Sequence, residues 1–183
     1  VQHRMQHSNE DWQIYITTDH GRDAATGKGH GGQSERERAT WIVTNAKGLN
    51  SYFKSGKASI VDIMPSIASF MGISIPKEQL MEIDGLSLTG NLSVTEMDAG
   101  YENGTIQLNW KGVDNKGKLK IWLATSNHYN TGGKDQYELM QTVSIQKGKA
   151  IINVKEKPSA FYKIVIETPT NYLNRWILIP LIK

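Results

Sequence analysis

The stretch "YITTDHGRDAATGKGHGG", residues 15–32, decides how the first half of this chain is interpreted. It begins as an apolar, β-branched run, continues into Asp19 and His20, and ends with His30 among glycines. Asp19 and His20 follow a predicted strand, where the chain leaves the sheet and adjacent side chains need no longer point to opposite faces. Carboxylate and imidazole groups bind zinc, and flexible glycines allow a loop to return a third ligand. The stretch predicts a metal site at Asp19, His20 and His30, with a simple turn as the alternative.

A phosphate-binding loop is a second interpretation of the same glycines, and their spacing excludes it. Five residues separate Gly21 from Gly27, where the phosphate loop has four. Gly29 stands where a Ser or Thr would have to reach magnesium.

Basic side chains near the predicted metal site are candidates for binding an anionic substrate. They are Arg22, Lys28 and Arg36, with Arg38 beside them. Because Glu35 and Glu37 alternate with the arginines, ion pairing within the loop is the competing interpretation. His3 and His7 lie four residues apart on a predicted helix, as a metal-binding pair could, but we expect them to lie on a solvent-exposed helix end. For His128 we expect no catalytic role.

Composition limits the classes of function. The 183 residues suffice for one domain or two small ones. The net charge of +3 comes from 21 basic and 18 acidic residues, and the lysines are scattered between turns. This pattern favours a solvated surface over a nucleic-acid interface. The absence of cysteine excludes disulfides and thiolate metal sites.

Two expectations concern the context of the chain. No apolar run approaches the roughly 18 residues needed to cross a bilayer, so we expect no transmembrane segment. The chain starts "VQHRMQHSNEDW", without an initiator methionine or a signal segment. We therefore expect it to be a piece of a longer protein.

The first half alternates element types in the manner of an α/β layer fold. The runs "WQIYITT" (12–18) and "ATWIVTN" (39–45) predict strands, and the first is apolar enough to be buried on both faces. The run "SIVDIMPSIASFMGI" (59–73) predicts a helix that begins at Asp62 and ends before Gly72. Its expected apolar face consists of Ile63, Ile67, Ala68 and Met71.

The second half, residues 93–183, changes to short strands separated by turns. This pattern predicts an antiparallel β-sandwich of immunoglobulin or fibronectin-III type. Residues 87–93 are the expected linker, and residues 1–92 the first domain. The seven predicted strands are "LSVTEM", "TIQLNW", "LKIWLAT", "YELMQTV", "AIINVKE", "FYKIVIET" and "RWILIPLI".

Taken in order, four motifs resemble a known family. "TTDHGR" follows a strand, "GKGHGG" lies some ten residues on, and "DIMPSIASFMGI" and "DGLSL" come later. Together they resemble the closing part of an alkaline phosphatase superfamily hydrolase, specifically its type I phosphodiesterase and nucleotide pyrophosphatase branch and the sulfatases. The resemblance covers about residues 12–90 and implies the C-terminal portion of an α/β/α hydrolase domain.

The resemblance implies a role for each matching residue. Asp19 and His20 match the pair that holds the metal next to the nucleophile, and His30 matches a ligand of the other metal. Asp62 and Pro65 match a structural helix motif. The family's two divalent metals, zinc first and manganese second, lie about 4 Å apart. The family's nucleophile and remaining ligands lie upstream, so the resemblance implies no catalytic residue in this chain and a missing N-terminal part.

The implied activity is hydrolysis of a small phosphate ester, with the isolated chain inactive. A sulfatase is the alternative enzyme, which differs at the nucleophile. By analogy, an appended sandwich suggests a periplasmic or secreted protein. A non-enzymatic alternative is a sandwich that binds a carbohydrate or another partner, which grouped exposed aromatic side chains would favour. The candidates are Trp110, Trp122, Tyr129, Tyr137 and Tyr172.

Overall fold

The computed structural model describes residues 1–179, which divide into two compact units. The first comprises Val1–Ser74 with Ser87–Gly90, and the second comprises Ile75–Leu86 with the chain from Asn91 onward. The sequence predicted a single boundary after residue 92. In the structure, by contrast, the segment 75–86 belongs to the second unit although residues 87–90, which follow it, belong to the first. Within residues 1–179, no helix has both the length and the apolar character required to cross a bilayer.

The first unit contains one small antiparallel sheet and several short helices. Its two strands confirm the predicted strands over a shorter range. The structure does not show the α/β layers expected of this half among the described residues. In chain order the elements are α1 (Gln2–His7), β1 (Tyr15–Thr17), α2 (Glu35–Arg38), β2 (Ile42–Thr44), α3 (Ser51–Lys54) and α4 (Ile63–Phe70).

One face of this sheet is open to solvent. Ile16 pairs with Val43 across the two strands, and their relative exposures are 53% and 57%. The expectation that the first strand is buried on both faces is therefore wrong. Among the described residues this sheet consists of β1 and β2 alone, so it has neither the neighbouring strands nor the covering layer that would bury this face.

The predicted helix is confirmed as α4, which follows a 3₁₀ turn at Ile60–Asp62. The buried Asp62 carboxylate accepts hydrogen bonds from the Ser59 N–H (2.7 Å) and the Tyr52 hydroxyl (3.2 Å). The helix ends before Gly72, whose positive φ of 65° is the left-handed conformation that glycine allows at little cost. The sequence thus located both ends of this helix.

The buried face of α4 differs from the predicted one. Ser66 and Ala68 are buried, whereas Ile67 and Met71 are exposed. The physical reason is a polar contact, because the Ser66 hydroxyl accepts the N–H of Leu88 at 2.8 Å and turns this face toward that segment. Apolar periodicity alone does not detect a buried serine that satisfies a backbone donor.

Residues 87–90 belong to the first unit, whereas the sequence predicted a linker there. Leu88 is completely buried, and its carbonyl oxygen accepts the Asn50 N–H at 3.0 Å. Leu49 and Thr89 form an isolated antiparallel bridge. These backbone bonds hold the segment against the unit.

As far as residue 179, the second unit contains one short α-helix, α5 (Lys77–Leu80), and the seven predicted strands are confirmed. The last predicted strand extends to residue 182, and residues 180–182 lie outside the described residues. The strands are β3 (Val94–Glu102), β4 (Thr105–Gly112), β5 (Lys118–Ala124), β6 (Glu138–Ser144), β7 (Lys149–Asn153), β8 (Phe161–Glu167) and β9 (Tyr172–Leu178).

These strands form two antiparallel sheets, ordered β3-β4-β7 and β6-β5-β8-β9. Alternate side chains of the central strands are buried, as in Ile106, Leu108 and Trp110 of β4 and Leu119, Ile121 and Leu123 of β5. Alternation of period two places these residues on one face of each strand. The arrangement is compatible with the predicted β-sandwich.

The five central residues of strand β8 are buried, and they include a lysine. Lys163 is 1% exposed, and its ammonium group contacts the carboxylates of Glu82 and Asp135. Glu82 comes from the segment Ile75–Leu86, so this ion cluster joins that segment to the strand. The contact is one of several that join residues 75–86 to the second unit.

Candidate metal centre

The loop between β1 and β2 carries the predicted metal ligands, and Asp23 organises its first part. The Asp23 carboxylate accepts hydrogen bonds from the Thr26 hydroxyl (2.6 Å), the Thr26 N–H (2.7 Å) and the Gly29 N–H (2.7 Å). The Thr26 hydroxyl, followed by backbone N–H groups, lowers the pKa of Asp23 to about 2. Asp23 is therefore ionised at neutral pH and closes residues 23–29 into a compact turn.

The second part of the loop is held by a capping box at α2. Ser34 and Glu37 bond reciprocally, and the Glu37 carboxylate also accepts the Gly32 N–H at 2.9 Å. The Ser34 hydroxyl and the Gly32 N–H lower the pKa of Glu37. The carbonyl oxygen of Glu37 accepts the Gly21 N–H at 2.7 Å, which joins both ends of the loop.

Gly21 is required at this junction by its surroundings. A Cβ atom at this position would collide with the backbone carbonyl oxygen of Arg36. Only glycine permits the chain after His20 to pass so close to α2. The residue next to the predicted ligands thus has a packing role.

The structure brings the three predicted ligands together. The Asp19 Oδ2 atom lies 3.5 Å from His20 Nε2, and the His20 and His30 rings stack with their centroids 4.3 Å apart. All three residues line a hollow of about 360 Å³. Glu37, Arg38 and Thr40 also line it.

Hydrogen bonding determines which nitrogen of His20 is available. His20 Nδ1 lies 2.7 Å from the carbonyl oxygen of Gly21, so Nδ1 carries the proton and donates it. In the neutral ring, Nε2 then has a free lone pair, and this is the nitrogen that lies near Asp19. It is the tautomer that a histidine ligand needs for binding through Nε2.

The described residues do not complete a metal site. No group of three or more His, Cys, Asp or Glu side chains among residues 1–179 is arranged to hold a metal ion. A catalytic zinc site usually has three protein ligands. The assignment of Asp19, His20 and His30 as metal ligands therefore stays a prediction, with two ligands for one ion and one for the other.

The predicted substrate-binding side chains have structural contacts. The Arg22 guanidinium donates to the carbonyl oxygen of Lys28, and that of Arg36 to the carbonyl oxygen of Ala24, both at 3.2 Å. Of the basic residues considered, the hollow is lined by Arg38. The sequence offered pairing of Glu37 with a neighbouring arginine as the competing interpretation, whereas the Glu37 carboxylate bonds to Ser34 in the capping box.

Sequence reasoning missed Asp23, Ser34 and Glu37, which hold the loop in place. Ser34 and Glu37 had a readable signal, because Ser-x-x-Glu at a helix start is the capping-box pattern. Asp23 had a weaker one, as Asp accepts hydrogen bonds from backbone N–H groups two and three residues later.

The aromatic candidates of the second unit differ in their surroundings. Trp110 is buried in the core, where its indole N–H donates to the Ile145 carbonyl oxygen at 2.7 Å. Tyr172 lies on β9, where burial raises the pKa of its hydroxyl. The other three candidates line one cavity, and they are Trp122, Tyr129 and Tyr137.

Comparisons with known proteins give no family for this chain. No protein-family model matches it, and neither the curated proteins nor the solved structures contain a match.

Proposed function

We propose that the first unit carries part of the two-metal site of a metal-dependent phosphodiesterase or nucleotide pyrophosphatase-like hydrolase of the alkaline phosphatase superfamily. Asp19 and His20 would hold one ion and His30 the other. Zinc fits these nitrogen and oxygen donors best, and manganese is the second choice. Two such ions supply Lewis-acid stabilisation of the attacking and leaving oxygens in an in-line displacement.

One geometric observation carries this proposal. Two tetrahedral ligand atoms, each about 2.0–2.1 Å from zinc, lie roughly 3.3 Å from each other. The Asp19 Oδ2 and His20 Nε2 atoms are 3.5 Å apart, and in the neutral ring the hydrogen bond from Nδ1 to the Gly21 carbonyl oxygen leaves the lone pair of Nε2 free. Asp19, with its side chain 85% exposed, is also accessible to an ion from solvent.

The position of His30 gives separate support. Its ring stacks on the His20 ring with the centroids 4.3 Å apart, and both residues line the same hollow, so the two proposed ligands lie side by side. The turn fixed by Asp23 and the bonds made by Glu37 hold the loop on either side of His30. Rigid support of this kind reduces the cost of assembling a site.

The remaining ligands and the nucleophile belong, in this proposal, to a further part of the hydrolase domain. The open face of the first unit supports such a part, because Ile16 and Val43 pair there while more than half exposed. Trp41 is 51% exposed as well. An apolar face on a two-stranded sheet is unfavourable in water and is typical of a surface that another element covers.

The substrate in this proposal is a small phosphate ester, whose charge Arg38 would neutralise; the support is that Arg38 lines the same hollow as the proposed ligands. A sulfatase would use the same ligands with a different nucleophile. Hydrolysis of p-nitrophenyl sulfate compared with bis(p-nitrophenyl) phosphate separates the two activities.

In this proposal the remaining ligands lie in a longer protein, so the test compares such a protein with the 183-residue chain. Both are assayed with bis(p-nitrophenyl) phosphate in added zinc or manganese. We expect no turnover by the chain alone and metal-dependent turnover by the longer protein. His20→Ala and His30→Ala should each reduce that turnover by on the order of 100-fold. His128→Ala, in the second unit, is the matched control and should leave it unchanged.

Metal-dependent turnover by the isolated chain would contradict the incomplete site. Full activity of both the His20 and the His30 variants in the longer protein would overturn the ligand assignment.

A further inference from the structure

The second unit contains a cavity of about 580 Å³ that plays no part in the proposed hydrolase site. This volume lies within the range of about 300–1,000 Å³ that is typical of small-molecule sites. The residues that line it come from α5 and the segment after it, from strand β5, and from the loop before β6. The argument below starts from the three aromatic residues among them, Trp122, Tyr129 and Tyr137, and from the charged side chains around these.

The polar floor of the cavity is rigid. The Lys163 ammonium group bonds to the carboxylates of Glu82 and Asp135, and all three side chains are at most 7% exposed. Asp135 also accepts the Ser126 hydroxyl at 2.7 Å, and Glu82 accepts the Tyr137 hydroxyl at 2.6 Å. Buried charges with this many partners keep fixed positions, which is what a preorganised binding site requires.

The aromatic side chains differ in how much of their surface is available. The Trp122 indole N–H donates to Glu167 at 2.7 Å, and the Lys77 ammonium lies 4.4 Å from the ring centroid, so one face of Trp122 is occupied. Tyr129 is 44% exposed. It lies in the 3₁₀ turn His128–Thr131, which ends at Gly132 with a positive φ of 80°. Tyr129 therefore offers the most accessible aromatic face.

Charges at the cavity are already neutralised by neighbouring side chains. Lys134 pairs with Glu78 at 2.9 Å, and Lys77 pairs with Glu167 at 2.8 Å. The buried lysine beneath is paired with two carboxylates. An anionic or cationic ligand would have to compete with these partners, whereas an uncharged polar ligand would not.

We propose that this cavity binds a neutral saccharide. A pyranose ring presents a flat surface of C–H groups that packs on an aromatic face, and its hydroxyls both donate and accept hydrogen bonds. Tyr129 provides the aromatic face, with Trp122 and Tyr137 as walls. Lys134 and Glu78 pair with each other but are 72% and 59% exposed, so they can donate to and accept from the hydroxyls while they stay paired. This inference does not depend on the hydrolase proposal.

The test measures binding of uncharged disaccharides to the 183-residue chain by saturation-transfer NMR and titration calorimetry. The probes are maltose, cellobiose and lactose, with digalacturonate and the disaccharide of glucosamine as anionic and cationic comparators. We expect at least one neutral disaccharide to bind with a dissociation constant on the order of 1 mM or below. Tyr129→Ala should weaken this binding about tenfold.

The matched control is Tyr101→Ala, because Tyr101 is 38% exposed on β3 and does not line the cavity. Its binding should equal that of the unaltered chain. Tyr129→Leu keeps the bulk and removes the aromatic face, so it gives the same answer if the alanine variant folds poorly. The inference is overturned if no neutral disaccharide binds at about 20 mM, or if both Tyr129 variants bind normally. Tighter binding of either charged comparator also overturns it.

Discussion

Replacing Lys163 by methionine should destabilise the second unit strongly, because it would leave two carboxylates buried without a cation. The side chains of Lys163, Glu82 and Asp135 are 1%, 7% and 0% exposed, and the distance from Lys163 Nζ to Asp135 is 2.8 Å. Breaking a buried ion pair by removing one partner costs about 3–5 kcal/mol. With a urea m-value of about 2 kcal/mol/M, the unfolding midpoint should fall by roughly 2 M.

The assay is urea unfolding followed by circular dichroism, to which the strands of the second unit contribute most of the β-sheet signal. Lys120→Met is the matched control, because Lys120 lies on the adjacent strand, is 47% exposed and pairs with Glu167 at 3.5 Å. A surface pair of this kind contributes about 0–1 kcal/mol. A loss at Lys163→Met below about 1 kcal/mol, or one equal to the control, would refute this description of the buried cluster.

Three other perturbations test single contacts. Burial opposes ionisation of Asp135, but hydrogen bonds, first from Lys163, outweigh it and lower its pKa from 3.8 to about 2. Because the pKa of Asp135 is lower in the folded state, its ionised form stabilises the fold at every pH above the pKa of the unfolded chain. About 2 kcal/mol of the unfolding free energy should therefore be lost as the pH falls from about 4 to 2, as measured by urea unfolding. Asp135→Asn should remove this part of the pH dependence. Gly21→Ala should displace the loop, because the new methyl group meets the Arg36 carbonyl, and unchanged His20 and His30 NMR shifts would contradict this. A fragment of residues 75–183 should be more stable to urea than one of residues 93–183, because the shorter fragment lacks Glu82, a partner of the buried Lys163. Equal unfolding midpoints would count against the assignment of residues 75–86 to the second unit.

The elements of the second unit were predictable from the sequence because their signals are local. Alternating apolar residues between turns specify strands such as β4 and β5, and Ile106, Leu108 and Ile121 are buried as that alternation requires. The sequence grouped the segment Ile75–Leu86 with the first domain, whereas its Glu82 pairs with Lys163 of β8, a residue far away in the chain. Periodicity carries no information about such a contact.

The sequence predicted that the candidate ligands lie close together, but it did not predict the contacts that hold their loop. Asp19, His20 and His30 lie together, as the spacing of the glycines allows. The apolar face of α4 was predicted wrongly because Ser66, a polar residue, is the one that faces Leu88. Hydrogen bonds between side chains and distant backbone groups decide such positions, and a sequence pattern does not encode them.

The proposed metal ligands can be tested in the 183-residue chain itself, by the effect of Mn²⁺ on the histidine side-chain NMR signals. A paramagnetic ion broadens the signals of nearby nuclei even when it binds weakly, as an incomplete ligand set requires. We predict that the ring signals of His20 and His30 broaden together at the lowest Mn²⁺ concentrations, while those of His128 stay sharp. The assignment is contradicted if His20 and His30 stay sharp in about a tenfold excess of Mn²⁺, or if His128 broadens in parallel with them.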